Sequence, residues 1–297
     1  MRGFPSLAQL PPDRSVRQLQ LVAARLVGGL LAGNYRSAFR GVGIEFDEVR
    51  EYVEGDDARL IDWNVSSRAD QIYTKTFREE RELTLFAVLD ASASLQFGSG
   101  SRSKAEVALI SAALLTLAAV TNNDKVGGLL FSDRVEAWLQ PAKGRRHAAR
   151  LLQQIMATKP QGRGSDLAAA LRLVNETLKR RSLVVIVSDF LMRGYQRELA
   201  LLAKRHDVVA IRVNDPIEAQ LPRVALARVR DPETGRTGYI SGRSRRFRFA
   251  YEQFWVSERR HWSRECRRRG IRALEIGDEE RVADQLVRFF RHSAGRR

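Results

Sequence analysis

Asp90, Ser92 and Ser94 stand at alternate positions directly after the apolar run LTLFAVL. A carboxylate and two hydroxyls at the end of a buried strand are costly unless something satisfies them. Two further clusters have the same make-up: Ser165 and Asp166 follow the glycine-bearing QGRG, and Ser188 and Asp189 follow the apolar SLVVIV. These clusters offer oxygen atoms only, with neither imidazole nor thiolate. Such a donor set suits Mg²⁺, Mn²⁺ or Ca²⁺, whereas zinc or copper would call for His or Cys. A divalent cation offsets the cost of gathering carboxylates. Ringed mostly by neutral hydroxyls, it would stay electrophilic toward an incoming acidic ligand. A lone Asp-Ser pair after a strand reads equally well as a cap, but three such clusters at three strand ends favour one shared site.

Other chemistries find less support. The stretch FGSGSRSKAE (97–106), with Lys104 at the start of a helix, lacks the glycine and Lys-Ser/Thr spacing of a phosphate-binding loop and reads as a flexible loop beside the metal. No G-x-S-x-G elbow is present. His147, His206, His261 and His292 fall in expected helices or at their ends and read as surface residues, which leaves no clear general acid or base. The expectation is a protein that is not an enzyme. The rival from another class is a Mg²⁺-dependent phosphohydrolase in which Asp90 and Asp189 hold an ion that activates water. The single Cys266 can form no intramolecular disulfide and reads as a partly buried helical thiol.

The elements that must position these residues follow from hydrophobic patterning. Residues 15–33 carry Leu19, Val22, Ala23, Leu26 and Leu30 at helical spacing. Residues 39–77 are dense in glycine, charge and aromatics, with alternating runs such as QIYTKTF, and predict a small β-rich appendage in which Arg50 and Arg59 pair with neighbouring acids. From residue 82 strands and helices alternate, the signature of a parallel sheet with crossover helices. Strands are expected at 83–89, 125–131, 183–187, 208–213 and 271–276, and helices at 104–120, 146–157, 166–180, 195–206, 247–269 and 279–290. Turn residues 231–235 between two alternating runs predict a β-hairpin insert near 222–241. The expected fold class is α/β: a Rossmann-like, doubly wound, mostly parallel sheet over 82–297, preceded by a helix and the appendage over 1–81. In such sheets ligands sit outside the carboxyl ends of the strands, where all three clusters map.

At this point the sequence resembles a known family. The run DASAS (90–94), a downstream Ser before a helix and a further Asp at another strand end are similar to the metal-ion-dependent adhesion site of von Willebrand factor A domains. Together with RGVGIEFDEVREYVEGDDARLIDW, VGGLLFSD and LVVIVSDF, the pattern resembles the bacterial domain of unknown function 58 over residues 15–215. The resemblance implies a von Willebrand A-like fold acting with a MoxR-type AAA+ ATPase as adaptor or cofactor, on the ATPase itself or on its protein substrate. It also implies that Ser92 and Ser94 bind the metal directly, and that Asp90 and Asp189 approach it directly or through water. Ser165 takes the place usually held by threonine. That exchange keeps the hydroxyl but loses the methyl that restricts its rotamer.

The chain of 297 residues carries a formal charge of +16, and residues 223–272 hold 15 arginines against five acids. A surface so basic could meet nucleic acid, a membrane surface or an acidic protein. A basic binding module is therefore the second function expected. The start MRGFPSLAQLPPDRS lacks the apolar core of a secretory signal, and the apolar stretches 21–33 and 108–120 fall short of a bilayer span. The expected location is the cytoplasm, with a peripheral position at the inner membrane as the variant that the basic surface allows.

Overall fold

The computed structural model describes residues 45–69, 71–78, 83–221, 223–277 and 281–294. The helix expected over 15–33 lies outside them. The chain divides into two compact units, one of them residues 40–82 and the other containing residues 83–297.

In the smaller unit β1 (Glu45–Glu51) pairs antiparallel with β2 (Tyr73–Arg78). The connection carries a 3-10 turn at Ala58–Leu60 and a helical turn at Trp63–Ser66, whose leading amides are capped by the side chains of Asp57 and Asp62. Arg50 bonds Asp56 at 2.8 Å and Arg59 bonds Asp57 at 3.0 Å, so these acids are tied within the appendage as its sequence predicts.

The larger unit is built on β3 (Thr84–Asp90), β4 (Lys125–Phe131), β5 (Val135–Ala142), β6 (Leu183–Ser188), β7 (Asp207–Val213) and, after the hairpin β8 (Ala227–Arg230) and β9 (Thr237–Ile240), β10 (Arg272–Ile276). The sheet order is β10-β7-β6-β3-β4-β5, with β5 antiparallel to its neighbour and every other pairing parallel. This is the doubly wound, mostly parallel sheet that the sequence predicts. The chain leaves β3 toward β4 on one side and returns to β6 on the other, so the switch point, and the crevice it opens, lies at the carboxyl ends of β3 and β6.

The helices are α1 (Lys104–Thr121), α2 (Arg145–Ala157), α3 (Leu167–Thr177), α4 (Gln196–Arg205), α5 (Arg245–Arg268) and α6 (Val282–Ala294). β6 is buried at every position and β3 at all but its first, as strands covered on both faces must be. On one face Leu85, Ala87 and Leu89 pack with Leu114 and Leu115 of α1 and Leu286 and Phe290 of α6. On the other, Phe86 and Val88 meet Leu171 of α3, Leu202 of α4 and Trp262 of α5. The 18-residue α1 is long and apolar enough, by composition, to cross a bilayer, yet 67% of it is buried inside this unit as the core helix beneath β3.

Three features depart from the sequence-based expectations. β5 is an additional strand. Its residues are all half-buried or exposed and include Pro141, which marks an edge, where the pattern that identifies a buried strand is absent. His206 is not a surface residue but is 3% exposed, with Nδ1 accepting the Ser182 amide at 3.2 Å. Cys266 is fully inside α5's packing face rather than partly buried, and burial pushes its thiol pKa up to about 12.

Candidate metal site at the carboxyl ends of β3 and β6

Asp90 ends β3 and is buried. Its Oδ1 accepts the Ser92 amide at 2.8 Å, while Oδ2 accepts the hydroxyls of Ser188 at 2.6 Å and Ser165 at 3.2 Å. Beyond it the chain enters a 3-10 turn, Ala93–Gln96, whose N-cap Ser92 makes no capping bond with its side chain. The Ser92 hydroxyl instead lies 3.0 Å from that of Ser94. Ser165 is brought in by the loop before α3, which is pinned where the Ala93 amide donates to the Arg163 carbonyl at 3.0 Å and the Asp166 amide to the Ser132 carbonyl at 2.8 Å. Asp166 itself caps α3 through the Ala169 amide, so of that pair only the serine enters the site.

Asp189 follows β6 and is as deeply buried as Asp90. Its Oδ2 accepts the Lys104 ammonium at 3.0 Å, and the same ammonium donates to Glu218 Oε1 at 2.6 Å. Phe190, at a left-handed φ of 54°, turns the chain away, its amide donating to the Ser188 hydroxyl at 3.0 Å. Lys104 opens α1, held by a capping box between Ser103 and Glu106. Glu233, at the turn of the β8–β9 hairpin, lies close enough to Ser94 for that hydroxyl to favour its charged form.

The electrostatics are those of crowded acids. Burial raises the pKa of Asp90, and the charge of Asp189 raises it further. Burial and Asp189 likewise raise Glu233. For Lys104 burial pulls downward, but the charges of Asp189 and Glu218 outweigh it and hold the ammonium above its ordinary pKa.

The residues fit a hard divalent cation: two repelling carboxylates and the hydroxyls of Ser92, Ser94 and Ser165 present oxygen alone. Among the described residues no three His, Cys, Asp or Glu side chains gather as a metal cage, so much of any coordination would fall to hydroxyls. Asp90, Ser92, Ser94 and Ser165 form one hydrogen-bonded set. Asp189 stands beside that set, already engaged by Lys104.

The family profile described as "Protein of unknown function DUF58" matches residues 48–261. The chain belongs to this family. The uncharacterized proteins Rv1480 of Mycobacterium tuberculosis and Mb1516 of Mycobacterium bovis are each 34% identical to it over 224 residues, covering 74% of this chain and 71% of theirs. Two solved structures resemble it in outline. The conserved hypothetical protein BatB of Bacteroides thetaiotaomicron has a TM-score of 0.42 and 17% identity, over 70% of this chain and 98% of its own. A von Willebrand factor type A protein of Catenulispora acidiphila has a TM-score of 0.43 and 12% identity, over 75% and 45%.

Sequence reasoning on this DUF58 chain missed Lys104, Glu218 and Glu233. Lys104 was expected to open a helix beside a flexible loop, and nothing local signals that its ammonium turns inward. Glu233 sits in a turn whose composition announces a hairpin but not where the hairpin points.

Proposed function

We propose that this protein is a non-enzymatic interaction module that captures an acidic side chain of a partner protein through a divalent cation, Mg²⁺ first, with Mn²⁺ or Ca²⁺ as alternatives. The observation that carries this reading is the convergence of the Ser188 and Ser165 hydroxyls and the Ser92 amide on a buried Asp90, beside a second buried carboxylate, Asp189. Asp90, Ser92, Ser94, Ser165 and Asp189 would hold the ion. When bound, the ion supplies an electrophilic bridge to a partner's carboxylate. The chain's own groups prepare the site: Ser188 orients Asp90 and Lys104 fixes Asp189.

The resemblance supports a MoxR-type AAA+ ATPase, or the protein substrate of one, as partner, with nucleotide hydrolysis belonging to the ATPase. The test is calorimetric titration of Mg²⁺ and Mn²⁺ into metal-stripped protein beside Asp90→Asn. Pull-down of a MoxR-type ATPase with and without chelator completes it. Saturable binding of one ion per chain, lost in the variant, and chelator-sensitive capture are expected. No ion binding to the wild type sinks the metal reading, and phosphoester turnover abolished by Asp189→Ala would instead identify a phosphohydrolase.

A specific feature favours a second reading. Arg259, Arg260, Arg264 and Arg267 of α5 line an open groove of about 700 Å³. Such a surface suits nucleic acid or anionic lipid, and the latter would hold a cytoplasmic protein at the inner membrane. Binding that collapses with salt yet survives chelation would support it.

A further inference from the structure

Arg212 of β7 lies in register with Ser188 of β6 and Glu275 of β10, at the carboxyl end of the sheet. Its side chain is among the largest that are fully buried, 2% exposed, and its Nε has no hydrogen-bond partner. Its guanidinium carbon stands 5.7 Å over the ring of Trp262, and the Trp262 indole nitrogen is also buried without a partner. Both residues line one cavity of about 460 Å³ between the loop after β6 and helix α5.

Buried polar atoms are nearly always satisfied, and an exception calls for an explanation. Here both orphans are N–H donors, and both belong to residues that line the same cavity. The volume is that of an ordinary small-molecule site. Its wall is aromatic: Phe190 lies 5.2 Å from Trp262 and 5.9 Å from Tyr195, centroid to centroid. The lining charges favour a single negative guest, because Arg269 and Glu265 neutralise each other and leave Arg193 and Arg212 against Glu258. Burial also lowers the pKa of Arg212, although the charges of Glu275, Asp189 and Glu258 pull the other way. A guanidinium fork matches carboxylate or phosphate, and an indole N–H adds a donor to the same oxyanion or to an adjoining acceptor.

We propose that this cavity is a binding site for a small organic oxyanion with a planar apolar body, its carboxylate or phosphate on Arg212 and its ring against Phe190 and Trp262. The site adjoins the serine and aspartate cluster across β6 and stands whether or not that cluster holds a metal.

The test is titration of benzoate, phenyl phosphate, inorganic phosphate and benzyl alcohol into the full chain, read by calorimetry and by tryptophan fluorescence. One-site, submillimolar binding of benzoate or phenyl phosphate is expected, at least about tenfold tighter than inorganic phosphate or benzyl alcohol. Arg212→Gln should abolish it. Trp262→Phe, which keeps a ring but removes the N–H, should weaken it several-fold, and it carries the test if Arg212→Gln fails to fold. The inference is overturned if neither aromatic oxyanion saturates, if inorganic phosphate binds as tightly as they do, or if affinity is unchanged in Trp262→Phe.

Discussion

Lys104 Nζ lies 3.0 Å from Asp189 Oδ2, and both side chains are 2% exposed, so the candidate metal site contains a resident cation of its own. A buried pair of this kind is costly to break, because removing one partner strands the other charge. Lys104→Met should therefore destabilise the protein by about 3–5 kcal/mol in urea unfolding. On the metal-bridge reading the same variant releases Asp189, so Mg²⁺ should bind more tightly than to wild type and recover part of the lost stability. A variant as stable as wild type would show that the ion pair contributes nothing.

Glu233 reaches Ser94 from a hairpin turn and stays half-exposed, so its loss should move stability by no more than about 0.5 kcal/mol. Its effect should appear in binding. If the site captures acidic groups, Glu233 competes for it, and Glu233→Ala should raise the affinity of a glutamate-bearing peptide several-fold at fixed Mg²⁺, read by fluorescence anisotropy. Equal affinities for the two proteins would remove Glu233 from the site's chemistry.

Gly127 of β4 lies so close to the edge strand that a Cβ there would meet Pro141 N at 2.8 Å and Leu139 O at 2.9 Å. Both are backbone atoms, which cannot rotate aside. Gly127→Ala should push β5 off the sheet and cost about 1–3 kcal/mol by thermal unfolding. Gly277→Ala, whose Cβ would meet nothing within 4 Å, is the control expected to stay near wild type.

What could be read in advance follows from where each signal is stored. β3 and β6 are legible because strands buried on both faces need unbroken apolar runs, and SLVVIV is one. The hairpin is legible in DPETG, where Asp231 caps its own turn through the Glu233 amide. Asp90, Ser92 and Ser94 carry their geometry in their spacing. Asp166 was misleading because a helix cap and a ligand use the same carboxylate. The inward turn of Lys104 was hidden, since its partners Asp189 and Glu218 lie 85 and 114 positions away and only the folded sheet brings them to it. β5 escaped because none of its residues is fully buried and its edge position tolerates Pro141, leaving no periodic excess to detect.

His206, at the end of α4, gives the fold a pH dependence whose sign is fixed by its burial. Burial pushes its pKa below the ordinary value, the charges of Arg205 and Arg181 push the same way, and Asp207 opposes them. Its Nδ1 must stay unprotonated to accept the Ser182 amide. As pH falls the unfolded chain takes up this proton first, near a pKa of about 6.5. The stability His206 contributes is thus fully present above that value and is lost progressively below it, until the folded form is protonated too. The urea midpoint of wild type should fall between pH 7 and pH 5.5 more steeply than that of His206→Asn, whose amide oxygen can accept the same bond at any pH. Parallel slopes for the two proteins would mean that His206 is protonated equally in both states, contrary to the geometry at Ser182.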